Sequence, residues 1–136
     1  MFKTVLFPID RSREAREAAE VVVEIVKKYD SRLVLLSVVE VADSDQLSVE
    51  EGMESPEAVA QLLENARSLF TQQGIEPETI EQEGKPAFVI CDVADEIGAN
   101  IIIMGCRGIG LTEEGIAESV TNRVINLSPC PVLIVP

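Results

Sequence analysis

The sequence predicts an α/β fold in which a parallel β-sheet is covered by helices on both faces. Two observations favour this fold. Short apolar runs alternate along the chain with longer segments of helical periodicity. Apolar residues make up 46% of the chain, and they include many Val and Ile but no Trp, which is typical of strands buried on both faces. Because no linker or internal repeat divides the chain, we expect one domain over residues 1–136.

Nine elements follow from this alternation. The strands are continuous apolar runs, and the helices carry apolar residues three and four positions apart. In chain order we predict strand 2–8, helix 15–26, strand 33–39, helix 56–73, strand 75–83, helix 86–97, strand 100–104, helix 120–127 and strand 132–135.

Proline and glycine support several of these boundaries. Pro56 stands at a favoured first position of a helix, and Gly74 and Gly98 follow two helices where a chain reversal is expected. Pro77 lies in the weakest strand, which therefore reads as an edge strand. The stretch 40–55 is acidic and polar and is predicted to be a long loop, with residues 43–52 among the least ordered of the chain.

Composition excludes several classes of function. The net charge is −13 and no cluster of Lys and Arg is present, so nucleic acid is not expected as a partner. The chain has no His, which removes His-based general bases and most zinc or iron sites. No run of about 18 apolar residues occurs, so no membrane span is predicted. The three scattered Cys and the lack of a signal peptide indicate a cytoplasmic protein.

Two features are expected at the carboxyl ends of strands, where ligands bind in open parallel sheets. One is the segment Pro8-Ile9-Asp10 after the first strand. The other is a glycine-rich loop over residues 105–110 after the fourth strand. Glycines let backbone N–H groups approach phosphate oxygens, and a helix follows this loop. The loop matches neither the Walker A nor the GxGxxG pattern, and by itself it is a weak signal.

Five segments of the chain and one spacing carry a joint pattern. The segments are residues 5–12, 84–86, 102–105, 119–125 and 131–135. The most specific feature is the spacing Gly105, two residues, Gly108, nine residues, then a pair that ends in Ser119. Together these features resemble the universal stress protein family, and the resemblance covers essentially the whole chain.

The family resemblance implies a five-stranded sheet of order 3-2-1-4-5, of the adenine nucleotide alpha hydrolase-like type. One branch of the family binds ATP or AMP, often with Mg²⁺, in the crevice between strands 1 and 4; another branch does not. By resemblance, Asp10 and the backbone of Val38 lie near adenine, and Pro8, Met104 and Gly105 flank the ribose. Gly108, Ser119 and Val120 hold phosphates. No metal site is expected from protein side chains alone.

The chain departs from the nucleotide-binding branch at Glu118, where that branch has a third glycine. A glutamate adds bulk and negative charge where a phosphate approaches the backbone. Like charges a few ångströms apart cost on the order of 1–4 kcal/mol, depending on the local dielectric. The expected result is a weak or vestigial adenine-nucleotide site.

Several site residues also have an ordinary structural interpretation. Asp10 is either a ligand contact or a helix cap, and Ser119 is a helix cap rather than a catalytic residue. Arg107 either meets a phosphate or pairs with Glu118 and fills the anion site from within the chain. Cys106 is either a redox-active thiol or a small loop side chain.

Three functions remain open at this stage. The first is a dimeric stress-response regulator with a weak nucleotide site that acts through protein partners. The second is an ATP or AMP sensor, and the third is a slow ATPase, for which no catalytic residue stands out. The last strand is apolar on both faces and lies at a sheet edge in the family order, so we expect it to join two copies of the chain. The residues of this predicted dimer interface are Val132, Leu133, Ile134 and Val135.

Overall fold

Strands and helices alternate throughout the residues that the computed structural model describes, which are 2–9, 13–40, 56–105 and 120–136. The predicted order of elements is confirmed. The elements are β1 (Thr4–Pro8), α1 (Arg13–Tyr29), β2 (Arg32–Glu40), α2 (Pro56–Gln72), β3 (Glu78–Gly84), α3 (Pro86–Ile97), β4 (Ile101–Gly105), α4 (Val120–Leu127) and β5 (Val132–Val135). The predicted disorder of residues 43–52 concerns residues outside the described part of the chain.

The sheet has the predicted architecture. Its five strands lie in the order β3-β2-β1-β4-β5, and each neighbouring pair is parallel. In the central pairs, Val5 of β1 is opposite Leu33 of β2 and Ile101 of β4. Because all five strands run the same way, their carboxyl ends meet at one edge of the sheet.

Helices cover both faces of the sheet, and each face has its own apolar cluster. On one face, α1 and α2 pack on the sheet, and the ring of Phe7 in β1 meets Phe70 of α2 edge-on with centroids 6.1 Å apart. On the other face, Leu6 of β1 packs in one cluster with Ile90 of α3 and Val124 of α4. Alternating side chains of one strand thus enter opposite layers.

The third strand begins later than predicted, at Glu78 rather than at residue 75. The reason lies at the end of α2, where Gly74 adopts φ +83° and the Ile75 N–H donates to the carbonyl of Phe70 at 3.0 Å. Ile75 is therefore buried as part of the turn that ends the helix. Pro77 lies before the strand, where its missing N–H costs no ladder hydrogen bond.

A close contact lies at the last residue of β3. Gly84 has φ +145°, and a Cβ at this position would lie 2.6 Å from Cγ2 of Val89 in α3. The chain therefore needs glycine here, both for the backbone conformation and for the close approach of α3. Among the described residues, no helix is long and apolar enough to span a membrane.

Candidate functional site

The candidate site lies where the strand order reverses, between β1 and β4. The strands β2 and β3 lie on one side of β1, and β4 and β5 lie on the other side. In such sheets the loops that leave the two central strands diverge and leave a crevice at the carboxyl edge. The register pairs Leu6 with Ile102, so Pro8 and Met104, two residues farther along, both reach this edge.

Five of the nine predicted nucleotide-binding residues belong to the described part of the chain, and all five come together near this edge. Pro8 is the last residue of β1, and Met104 and Gly105 are the last two residues of β4. Val38 lies near the end of β2, and Val120 is the first residue of α4. The other four lie outside the described residues, as does Glu118. Those four are Asp10, Arg107, Gly108 and Ser119.

The side chains of Met104 and Val120 are buried in the apolar cluster beneath α3 and α4, at 1% and 8% exposure. The side chains of both residues therefore pack beneath the crevice, and only their main-chain groups are available to contact a ligand. Val38 is half-buried and packs against the same cluster. The described lining is thus apolar, which suits the flat face of a base or a sugar.

A side-chain hydrogen bond ties the start of α4 to the end of β4. The hydroxyl of Thr121 donates to the carbonyl of Gly105 at 3.2 Å, and the Thr121 side chain is buried. This bond holds the first turn of α4 beside the carboxyl end of β4. Thr121 was not among the predicted site residues; the signal that could have found it is a hydroxyl residue directly after the Ser119-Val120 pair.

The strand β2 extends beyond its neighbour β1. The last paired residues are Pro8 and Leu36, and one further bond joins the Ile9 N–H to the Leu36 carbonyl at 2.9 Å. Beyond this point β2 pairs only with β3. Ser37 is therefore the first residue of β2 that follows the paired part of β1, and its side chain is only 3% exposed.

Two cysteines among the described residues have a raised thiol pKa. Burial raises the pKa of the Cys91 thiol, with smaller contributions from Asp92 and Cys130, and burial also raises the pKa of Cys130. Both thiols are free and stay protonated near neutral pH, a state of low reactivity. Cys106, for which the sequence left open a redox-active thiol or a small loop side chain, lies outside the described residues. Within the described ranges, no three His, Cys, Asp or Glu side chains form a metal-binding group.

Comparison with known proteins gives one family. The model described as the universal stress protein family matches residues 1–136. The chain is 65% identical over 136 residues to the universal stress protein Sll1654 of Synechocystis sp., covering 100% of this chain and 87% of that protein. It is 33% identical over 147 residues to the universal stress protein YxiE of Bacillus subtilis, covering 99% of each.

Solved structures give the same fold. The universal stress protein UspA from Lactobacillus plantarum matches with a TM-score of 0.80 and 22% identity, over 99% of this chain and 98% of that one. A universal stress protein from Archaeoglobus fulgidus in complex with dAMP matches with a TM-score of 0.75 and 21% identity over 100% of both chains. An Arabidopsis thaliana family protein with AMP bound matches with a TM-score of 0.74 and 21% identity, over 98% and 90% of the chains.

Proposed function

This chain belongs to the universal stress protein family, and on that premise we propose that it is a regulatory protein that binds an adenine nucleotide at the carboxyl edge of its sheet. AMP is the preferred ligand and ATP binds less well. In this proposal the bound nucleotide reports the energy state of the cell, and the protein acts in the cytoplasm through protein partners. No residue is assigned a catalytic role.

The observation that carries the proposal is the convergence of five predicted contacts at one crevice. Pro8, Val38, Met104, Gly105 and Val120 come from four elements, which are β1, its two neighbours β2 and β4, and the start of α4. An apolar lining beside main-chain polar groups is the usual construction of a nucleotide pocket. The AMP and dAMP complexes of two structural neighbours support the proposal through the shared fold.

The preference for AMP over ATP follows from the sequence position of Glu118. In the nucleotide-binding pattern a glycine stands there, and a carboxylate at this point repels added phosphates. Mg²⁺ would enter with the phosphates of ATP and would offset part of that repulsion. The monophosphate has the least negative charge to accommodate, so it is the nucleotide that Glu118 disfavours least.

The test begins with the protein as purified. Mass spectrometry of small molecules released by denaturation is expected to detect an adenine nucleotide. Titration calorimetry with AMP, ATP and adenosine in the presence of Mg²⁺ then compares wild type with Glu118→Gly. We expect the variant to gain affinity for ATP by roughly tenfold or more, and to gain little for adenosine.

Glu118→Gln is the matched control, because it removes the charge and keeps the bulk. If charge is the obstacle, Glu118→Gln recovers most of the gain of Glu118→Gly; if close backbone approach is the obstacle, only glycine recovers it. Wild-type binding of ATP as tight as that of AMP would contradict the assigned role of Glu118. Absence of binding to all three ligands would contradict the proposed function.

The second part of the proposal is a homodimer joined through β5. This strand lies at an edge of the sheet, and all four of its side chains are apolar and half-buried. An apolar edge strand exposes unpaired N–H and C=O groups beside apolar side chains, which promotes uncontrolled association. Antiparallel pairing with β5 of a second copy satisfies both and forms a closed two-fold assembly.

A further inference from the structure

Two free thiols of the described residues share one apolar cluster. Cys91 is buried in α3, and Cys130 is half-buried in the turn between α4 and β5. Cys91 belongs to the cluster that α3 and α4 form on their face of the sheet, and Cys130 packs against the same cluster. The two residues are far apart in the sequence, so the fold brings their side chains into one layer. The proposed function uses neither thiol.

The side chain of Cys91 lies on the flank of α3 that borders α4. Val89, two positions earlier, faces the end of β3, because its Cγ2 lies 2.6 Å from the place of a Cβ on Gly84. Two positions along a helix differ by about 200°, so Cys91 is directed away from β3. On that side α3 packs against α4. The chain leaves α4 and passes through Cys130 before it enters β5.

The ionisation of Cys91 supports the proximity of the two sulfur atoms. Burial raises the pKa of the Cys91 thiol, and the charges of Asp92 and of Cys130 raise it further. The interaction between two charges weakens with distance, so the contribution from Cys130 indicates that its sulfur lies near that of Cys91. All three influences keep Cys91 protonated.

Cys130 has a polar neighbour that favours its thiolate. The Cys130 N–H donates to the Ser128 hydroxyl at 3.1 Å, and this hydroxyl donates to the Cys130 carbonyl at 2.6 Å. The same hydroxyl lies 3.8 Å from the Cys130 sulfur. Burial raises the pKa of Cys130, and the hydrogen bond from Ser128 offsets part of this rise. Cys130 is therefore the more exposed of the two thiols and the one with a donor for its thiolate.

We propose that Cys91 and Cys130 form an intramolecular redox pair that hydrogen peroxide oxidises to a disulfide. The Cys130 thiolate attacks one peroxide oxygen, which breaks the O–O bond, gives a sulfenic acid and releases water after proton uptake. The Cys91 thiolate then attacks the sulfenic sulfur and displaces hydroxide, which leaves as a second water. In sum, two thiols and one hydrogen peroxide give one disulfide and two waters, and two electrons pass from sulfur to peroxide.

The disulfide joins α3 to the segment that enters β5. Because the reaction proceeds through thiolates and both thiols are protonated near neutral pH, oxidation is slow there and faster at alkaline pH. The pair therefore responds to sustained exposure to peroxide. A dithiol reductant reverses the step by thiol–disulfide exchange.

The experiment uses the full chain with Cys106→Ala, in which Cys91 and Cys130 are the remaining cysteines. The protein is treated with hydrogen peroxide at mildly alkaline pH, its free thiols are alkylated, and its intact mass is measured. We expect the loss of two hydrogens without alkylation, a Cys91–Cys130 cross-linked peptide after digestion, and reversal by dithiothreitol. The oxidised protein is expected to unfold at a higher urea concentration than the reduced protein, because the cross-link restricts the unfolded chain.

Cys91→Ala and Cys130→Ala in the same background separate the roles of the two thiols. In Cys91→Ala, dimedone should label Cys130 as a sulfenic acid, because no second thiol resolves it. In Cys130→Ala, the buried Cys91 should remain a free thiol. Circular dichroism checks that each variant is folded; if one is not, the mass change and the cross-linked peptide of the parent protein still decide.

Three results would overturn the inference. The first is that both thiols remain free under conditions that fully oxidise dithiothreitol. The second is a disulfide between two copies of the chain, visible as a covalent dimer without reductant, in place of the intramolecular bond. The third is equal labelling of Cys91 and Cys130 by dimedone in the two folded variants, which would contradict the assigned order of attack.

Discussion

The two edges of the sheet have opposite chemistry. At one edge β3 has the sequence Glu-Thr-Ile-Glu-Gln-Glu-Gly, and five of its seven residues are exposed. At the other edge β5 has the sequence Val-Leu-Ile-Val, and its side chains are half-buried. Charged residues on an edge strand discourage pairing with another sheet. The charged edge at β3 therefore suits a free edge, whereas the apolar edge at β5 is the one that the proposed dimer would cover.

The hydrogen bonding of β5 identifies which of its groups face outward. The Ile102 N–H donates to the Pro131 carbonyl at 2.9 Å, and Ile102 is paired with Val132. In a parallel ladder alternate residues of a strand bond to the same neighbour, so Leu133 and Val135 direct their N–H groups toward β4. The N–H groups of Val132 and Ile134 therefore point to the free edge.

The largest expected effect comes from removing one of these outward donors. Val132→Pro deletes an N–H that β4 does not use, at the first residue of the strand, where proline is best tolerated. In a symmetric dimer two intermolecular hydrogen bonds are lost. The dissociation constant of the dimer is expected to rise on the order of a hundredfold, as measured by analytical ultracentrifugation.

Val132→Ala is the control for this variant, because it trims the side chain and keeps the donor. It should remain dimeric at concentrations at which Val132→Pro is monomeric. The circular dichroism spectrum of the Val132→Pro monomer should match that of the wild-type protein. A wild-type protein that is monomeric at micromolar concentration would contradict the dimer proposal. A Val132→Pro protein that dimerises like wild type would move the interface away from the edge of β5.

The second prediction concerns the end of the charged edge, where β3 gives way to α3. Gly84→Ala should destabilise the protein by about 2–4 kcal/mol, because a non-glycine residue is strained at φ +145° and its Cβ would lie 2.6 Å from the Val89 side chain. Urea unfolding followed by circular dichroism measures the change. The dimer constant should be unaffected, since β5 lies at the opposite edge.

Two further variants separate the causes. Gly74→Ala also places alanine at positive φ, +83°, but its Cβ meets nothing within 4 Å, so it should cost only about 1 kcal/mol. Adding Val89→Ala to Gly84→Ala should recover about 1 kcal/mol relative to the sum of the single changes. Equal costs for Gly74→Ala and Gly84→Ala would show that the contact with α3 is unimportant.

The contrast between the edges was predictable from the sequence, because it depends on local composition. The alternation of apolar runs with periodic segments also gave the sheet and its helices, since burial on both faces leaves a clear pattern. The predicted start of β3 was wrong because the apolar residue Ile75 is buried in the turn that ends α2 and does not belong to a strand. Apolarity alone does not distinguish a strand residue from a buried turn residue.

The candidate site was less accessible to sequence reasoning. The predicted roles of Pro8, Met104 and Gly105 came from a family resemblance, and these residues lie at one edge of the sheet only because β1 and β4, far apart in sequence, are neighbours. Thr121 was missed because its significance depends on a partner. Its hydroxyl is satisfied by a carbonyl 16 residues away, and this contact does not appear in the local sequence.

The smallest expected effect concerns the amino end of the charged edge, where Glu78 of β3 meets Arg32 of β2. The guanidinium contacts both carboxylate oxygens, Nε to Oε2 at 2.7 Å and Nη2 to Oε1 at 2.9 Å. The hydrogen bond from Arg32 lowers the pKa of Glu78. Both side chains are about half exposed, at 45% and 53%, so solvent screens the pair and Glu78→Gln should cost only about 0.2–1 kcal/mol.

The pH dependence gives this small effect a sign that can be checked. Because the pKa of Glu78 is lower in the folded protein than in the unfolded chain, the ion pair contributes its full stability above the ordinary glutamate pKa, and loses it as the pH falls through the folded pKa. The difference in urea midpoint between wild type and Glu78→Gln should therefore be present at neutral pH and shrink as the pH falls below the ordinary pKa of glutamate. Glu64→Gln, which removes a single 3.5 Å contact with Arg67 in α2, should show a smaller difference at neutral pH. A Glu78→Gln difference that stays constant over this range would mean that Glu78 fixes the edge of the sheet through its shape rather than through its charge.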